Sequence, residues 1–199
     1  MVSSKLKKKF EAWATSGVKP LVSLGLTPNI LTLVGVAASA AAAYCYLSWR
    51  VGWFVLLAAG VLVLVSGLVD ALDGVVARAT GRASAFGGFL DSVCDRYSDA
   101  VVLSAILVGG LCHPAWGLLA MVGSLMVSYA RARAEAAGVG MASVGLAERA
   151  ERMLFLAAVT FVASIRLEAL GWGVVVLAVL AHYTVIQRAA HFYSETRKS

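Results

Sequence analysis

Apolar positions dominate this chain in long stretches, broken at intervals by glycine, proline and charged residues. The stretches run roughly over residues 29 to 48, 52 to 80, 85 to 110, 114 to 136, 146 to 168 and 171 to 192. None alternates strictly between apolar and polar residues as a half-buried strand does. Each reaches the roughly 20 residues that a helix needs to cross a hydrocarbon core of about 30 Å. Lipid offers no water to backbone N–H and C=O groups, so only helices or a closed barrel can span it, and the missing alternation excludes the barrel. The pattern predicts an all-α polytopic membrane protein with six transmembrane helices, forming one membrane domain over residues 27 to 199.

Residues 1 to 26 follow a different pattern. Lys5, Lys7, Lys8 and Lys9 stand beside Phe10, Trp13, Val18, Leu21 and Val22. A charged region followed by an apolar core and a cleavage site is absent, so the segment reads as an interfacial amphipathic helix rather than a secretory signal.

Composition agrees with a membrane location. The chain is 60% hydrophobic and 14% charged, with a mean hydropathy of +0.84, whereas soluble domains have apolar and charged shares near a half and a quarter. The net charge of +6 changes the picture through its placement. With six spans, the N-terminal lysines, the Arg78–Arg82 turn, the Arg131–Arg152 connection, Arg188, Arg197 and Lys198 all fall on one side, leaving Arg50 and Arg166 opposite. The positive-inside rule then makes both termini cytoplasmic in a multi-pass protein of the cell membrane. No basic stripe with interleaved aromatics is present, so nucleic acid is not an expected partner.

Cys45, Cys94 and Cys112 show no C-x-x-C spacing and read as small apolar fillers. His113, His182 and His191 are scattered without ligand spacing and are expected at membrane boundaries or in the core.

The chemistry concentrates elsewhere. All five aspartates, Asp70, Asp73, Asp91, Asp95 and Asp99, lie inside one thirty-residue window. Carboxylates among apolar residues are costly unless paired, protonated or bound to cations, which makes the window a candidate functional site. Intervals of three and four residues put Asp70 with Asp73, and Asp91 with Asp95 and Asp99, on single helix faces. The first pair sits near the end of the second span and Asp91 and Asp95 in the first turns of the third, so four carboxylates converge at one depth. All-oxygen ligation suits hard divalent cations, Mg2+ or Mn2+, and two such ions would neutralise the carboxylates. Gly74 and Ala77, one turn apart, and Gly87 would let a ligand approach the backbone, and Arg78 offers a planar phosphate donor.

The segment Asp70-Ala-Leu-Asp73-Gly74-Val-Val-Ala77-Arg78, eight further residues, and Gly87-Gly-Phe-Leu-Asp91-Ser-Val-Cys-Asp95 resembles the signature of the CDP-alcohol phosphotransferase family, D-x2-D-G-x2-A-R-x8-G-x3-D-x3-D. The resemblance extends in kind to the whole chain, since the family consists of six-helix membrane proteins with a short N-terminal surface helix. It implies that Asp70, Asp73, Asp91 and Asp95 bind the metals and that Asp95 also serves as base for the acceptor hydroxyl. It further implies that Asn29 and Thr32, in the Thr27-Pro28-Asn29 segment, contact the CDP moiety together with Asp70, Gly74, Ala77, Arg78, Ser84 and Gly87. Pro28 equally suits a plain helix start.

Acceptors in the family include glycerol 3-phosphate, serine, inositol, inositol phosphate, choline and ethanolamine. Arg131, Arg133, Arg149 and Arg152 flank the connection between the fourth and fifth spans and form a candidate anion pocket. Together with the residues from Leu90 to Asp99, they resemble the phosphatidylinositol-phosphate and archaetidylinositol-phosphate synthases. That likeness implies transfer of the lipid phosphate of CDP-diacylglycerol or CDP-archaeol to inositol 1-phosphate with release of CMP, with glycerol 3-phosphate or inositol as the competing acceptors. A transporter is the competing class, and solute flux without CMP release would mark it. The family also implies a homodimer, which the small residues from Ala37 to Ala43 would suit, although they equally suit packing within one subunit. Asp99 lies outside the signature, with an arginine, Arg96 or one of the acceptor-site set, as its expected partner.

Overall fold

Proline and hydroxyl caps set where the helices begin. In the structure, a computed structural model that describes residues 26–197, Thr27 caps α1 (Pro28–Leu47) by accepting from the Ile30 amide at 3.4 Å, and Pro28 occupies the first helical position. A short 3-10 turn, Trp49–Val51, leads to α2 (Trp53–Ala79). Ser84 caps α3 (Ala85–Val108) through the Gly87 amide at 3.0 Å. His113 Nδ1 accepts from the Ala115 amide ahead of Pro114, which opens α4 (Pro114–Ala136). The last helices are α5 (Arg149–Ala163) and α6 (Glu168–Thr196). The predicted N-terminal surface helix lies outside the described residues.

The all-α expectation holds, with six α-helices in the described chain. Four of them, α1, α2, α4 and α6, are long and apolar enough to cross a membrane, with mean window hydropathies of 1.8, 2.5, 1.2 and 2.0. The other two fall short of the predicted six for separate reasons. Helix α3 has the length but carries Asp91, Asp95, Arg96 and Asp99. Helix α5 has 15 residues, about 22 Å of rise, because residues 146–148 of the predicted 146–168 span stay in the connection after α4 and residues 164–168 form the turn into α6 and its first residue.

The principal packing contacts close a ring. Helix α1 packs on α2 and α3, α2 continues to α5, α5 to α6, α6 to α4, and α4 back to α3. Tyr46, Leu56, Val63, Val102, Ile106, Leu156, Leu170 and Val174 form the apolar core inside it. Ala38, Ala42 and Ala43 are buried within the single chain, so much of the small-residue stretch of α1 is used to bring its own neighbours close. Two pairs of buried hydroxyls bond to each other, Ser39 with Ser66 at 2.7 Å and Tyr46 with Thr160 at 2.6 Å, as a lipid-facing bundle favours. Large apolar side chains cover the outside, among them Leu33, Trp53, Val61, Leu118, Ile165, Trp172 and Ile186. Such a surface is soluble in a bilayer and not in water. Cys112, in the turn before α4, is half-buried, and burial pushes its thiol above its ordinary value, consistent with a filler role.

Candidate active site

The turn after α2 determines which side chains meet. Thr80 ends the helix and Gly81 follows at φ 65, a left-handed conformation that glycine adopts without a Cβ penalty. The Arg82 amide returns to the Ala77 carbonyl at 3.0 Å and the Gly81 amide to the Arg78 carbonyl at 3.4 Å, a Schellman arrangement that closes α2. The chain reverses and Ser84 starts α3, bringing the first turns of α3 level with the last turns of α2.

Three of the four predicted metal carboxylates converge there. One oxygen each from Asp70, Asp91 and Asp95 lies within 4.8 Å of the others. Asp73 is buried next to them and its Oδ2 accepts a 2.7 Å hydrogen bond from Thr32 Oγ1. The α1 residue predicted to touch a nucleotide therefore also orients a cleft carboxylate. Asp91 Oδ1 is buried without a hydrogen-bond partner, and such an orphaned anionic oxygen is costly unless a cation completes it. Carboxylate oxygens as sole donors, closely spaced and incompletely satisfied, fit Mg2+ or Mn2+.

The remaining predicted lipid-site residues flank the same end of the bundle. A Cβ added to Gly87 would lie 3.1 Å from Ser84 Oγ and 3.4 Å from Asn29 Oδ1, so the starts of α1 and α3 meet at a position where only a hydrogen fits comfortably. Gly74 faces the Arg78 guanidinium, whose Nη1 would stand 3.4 Å from a Cβ there. Ala77 is half-buried beside Arg78, which is exposed.

The four predicted acceptor arginines separate. Arg149, at the start of α5, places Nη1 2.7 Å from Asp70 Oδ2 and 2.9 Å from Asp95 Oδ1. Arg152, one turn on and 3% exposed, gives Nη2 to Asp99 Oδ2 at 3.0 Å and Nη1 to the Ala147 carbonyl at 3.0 Å. Arg131 instead pairs with Glu135 at 2.9 Å on an exposed face of α4. Arg133 lines a groove of about 380 Å³ between α4 and α6, with Tyr129, Met141, Arg188 and Phe192 among its walls.

Asp99, expected only to pair with an arginine, takes a central place, and Arg188 emerges without having been given a site role. Asp99 is buried and holds both inner arginines, with Oδ1 3.2 Å from Arg149 Nε and Oδ2 on Arg152. Arg96 pairs instead with Asp95, Nη1 to Oδ2 at 3.7 Å, and donates to the Ser92 carbonyl. Arg188, buried in α6, donates Nε to the Val144 carbonyl at 2.9 Å and Nη1 to the Val127 carbonyl at 2.6 Å. Its sequence signal was an arginine in an apolar run with no acidic residue three or four positions away. Gly145 makes that contact possible: at φ +119 it brings the 137–148 connection so close to α6 that a Cβ would stand 2.5 Å from Thr184 Cγ2. The Ala147 amide then reaches Thr184 Oγ1 at 3.1 Å.

A helical bundle whose acidic cleft joins the ends of two helices and is backed by arginines from a third defines a metal-dependent phosphotransferase of the membrane. The family model described as CDP-alcohol phosphatidyltransferase matches residues 25–186, and the chain belongs to that family. It is 44% identical over 186 residues to the archaetidylinositol phosphate synthase of Pyrococcus horikoshii, covering 93% of each chain. To the synthase of the same name from Methanothermobacter thermautotrophicus it is 39% identical, with 87% of each covered. Among solved structures it is similar to the phosphatidylinositol phosphate synthase of Mycobacterium tuberculosis with CDP-DAG bound, at a TM-score of 0.77 and 32% identity over 91% of this chain and 94% of that one. The same enzyme in complex with manganese and citrate matches at a TM-score of 0.78 and 32% identity, covering 91% and 89%.

Proposed function

We propose that the protein transfers the lipid phosphate of a CDP-lipid, CDP-diacylglycerol or CDP-archaeol, to inositol 1-phosphate and releases CMP. The observation that carries this reading is the juxtaposition, through close ion pairs, of the Asp70–Asp91–Asp95 cluster and the inner arginines Arg149 and Arg152. Carboxylates that gather cations for a pyrophosphate sit directly against guanidiniums suited to a second phosphate. Support for inositol phosphate as acceptor comes from the relatives, which carry it in their names over nearly the whole length of the chain.

In this reading Asp70, Asp73, Asp91 and Asp95 hold one or two divalent cations, which when bound neutralise the pyrophosphate and stabilise charge on the attacking and leaving oxygens. Asn29, Thr32, Gly74, Ala77, Arg78, Ser84 and Gly87 form the wall that receives the nucleotide half of the donor. Asp95 takes the proton of the acceptor hydroxyl as its oxygen bonds to the lipid-linked phosphorus. The bond from that phosphorus to the CMP phosphate breaks, and CMP carries away the electron pair. Arg149 and Arg152, with Arg133 and Arg188 further along the α4–α6 side, attract and orient the acceptor phosphate. All six helices cross the bilayer, α3 because its charges face the cleft and α5 because its neighbours extend past it. Both termini and the cleft then lie on the cytoplasmic side, as the basic residues require, and the enzyme works as a homodimer.

The reading is tested by incubating the purified protein with CDP-lipid, Mg2+ and a panel of acceptors while measuring CMP. Release that depends on inositol 1-phosphate is the expected result. Release with glycerol 3-phosphate or inositol instead would move the acceptor assignment, and solute flux without CMP would remove the enzyme reading.

A further inference from the structure

Arg149 stands where a cation would stand. Its Nη1 lies 2.7 Å from Asp70 Oδ2 and 2.9 Å from Asp95 Oδ1, yet it lacks hydrogen-bond alignment to either oxygen. Charge rather than directional bonding keeps it there. A divalent ion ligated by the same oxygens at roughly 2.0–2.6 Å would occupy the volume that Nη1 now fills. A guanidinium does not give up its proton in proteins, so its charge cannot be titrated away and only its position can change.

A second contact limits how far it can move. Arg149 Nε is 3.2 Å from Asp99 Oδ1, one turn along α3 from Asp95, while Asp99 Oδ2 is held by Arg152 Nη2 at 3.0 Å. Asp99 is 4% exposed and Arg152 3% exposed, so this end of the network is fixed in the core. The cleft end is looser, since the Asp70 side chain is 30% exposed. One end of the Arg149 guanidinium is thus anchored and the other rests against carboxylates that have another use.

We propose that Arg149 is a tethered counter-cation of the cleft: it neutralises Asp70 and Asp95 before a divalent ion loads, is displaced from them as the ion binds, and is kept in the site by Asp99. Once displaced, the same guanidinium end is available to a phosphate of the acceptor, so cation binding precedes acceptor binding. The inference rests on the reading of the carboxylates as the metal site and adds to it an exchange between two cations, one covalently attached to the chain. Asp91 Oδ1, which has no partner, is the oxygen at which an incoming ion meets no competitor.

The test is titration of Mn2+ into the full-length, substrate-free protein in detergent, with free Mn2+ read by electron paramagnetic resonance. Arg149→Gln is expected to tighten Mn2+ binding by about tenfold or more, the scale of a close charge contact in a partly hydrated site. Arg152→Gln removes an equal charge from the same Asp99 without touching Asp70 or Asp95, and is expected to leave the affinity within about threefold. Equal tightening in both variants would reduce the effect to a general field, and unchanged or weaker binding in Arg149→Gln would also overturn the proposal. Arg149→Lys serves if the glutamine variant does not fold. Its single ammonium cannot hold Asp99 and both cleft carboxylates at once, so binding should tighten severalfold, and unaltered affinity counts against the exchange. Failure of the unmodified protein to bind Mn2+ would instead remove the metal-site reading, and the proposal with it.

Discussion

Asp99 offers the sharpest perturbation, because one carboxylate carries two arginines. Asp99→Asn keeps the shape but removes the charge opposite Arg149 Nε at 3.2 Å and Arg152 Nη2 at 3.0 Å. The Asp99 and Arg152 side chains are 5% and 3% exposed, so water cannot replace what is lost. Removing one partner of a buried ion pair costs about 3–5 kcal/mol. The asparagine oxygen still accepts from one guanidinium and Arg152 keeps the Ala147 carbonyl, which places the expected loss near the lower end, about 3 kcal/mol. For a chain of this length, that corresponds to a fall in melting temperature of roughly 6–12 °C. The acceptor KM should rise by about tenfold, equivalent to ~1.4 kcal/mol, while kcat changes by less, because Asp99 acts through the arginines. Thermal unfolding in detergent and CMP release against acceptor concentration read the two effects. In Asp99→Asn combined with Arg152→Gln, about 2 kcal/mol of the summed loss should be recovered, since the second change removes the unpaired charge. Unchanged melting and acceptor KM in the single variant, or strict additivity in the double, would refute the linkage.

Asp95→Asn should reduce CMP release by about a thousandfold, within the range of a lost general base, at a near-normal melting temperature; a well-folded variant with ordinary turnover would exclude Asp95 as base. Thr32→Val removes the 2.7 Å hydrogen bond to Asp73. It should cost about 1–2 kcal/mol in unfolding measurements and weaken Mn2+ binding, as Asp73 loses its orientation. Gly145→Ala meets both a positive φ of 119 and a contact of 2.5 Å with Thr184 Cγ2. Destabilisation by about 1–3 kcal/mol should accompany a raised acceptor KM, because the Val144 carbonyl that holds Arg188 moves; an unaltered KM would separate Arg188 from acceptor binding.

Much of the architecture could be read from the chain because the signals are local. Thr27-Pro28, Ser84 and His113-Pro114 each mark a helix start through their own cap chemistry, and the apolar run beyond each cap gives the helix its length. The acidic cluster was equally legible, since helical spacing fixes which aspartates share a face. The start of α5 was misjudged because apolar residues at 144, 146 and 147 extend the run backwards. In the fold, Gly145 and the contacts of Leu146 and Ala147 with Gln187 and Thr184 keep those residues out of the helix. Side-chain partners distant in sequence were legible only in kind: an arginine was expected on Asp99, but not which of the candidates. Asp99 meets Arg149 and Arg152 across 50 and 53 positions, and no periodicity on one helix encodes the face of another. The four acceptor arginines looked equivalent for the same reason: the chain shows their charge but not that Arg131 is taken up by Glu135.

The order of the helix ring bears on how the enzyme can change over evolutionary time. Helices α2 and α3 are consecutive in the chain, yet each is seated mainly against other helices, α2 on α1 and α5, α3 on α1 and α4. The faces that look at each other across the cleft therefore contribute little to holding the bundle together. Substitutions on those two faces can reshape the metal and donor side of the cleft while the fold's stability stays with other contacts, whereas the acceptor arginines, tied to the core through Asp99, cannot change without touching stability.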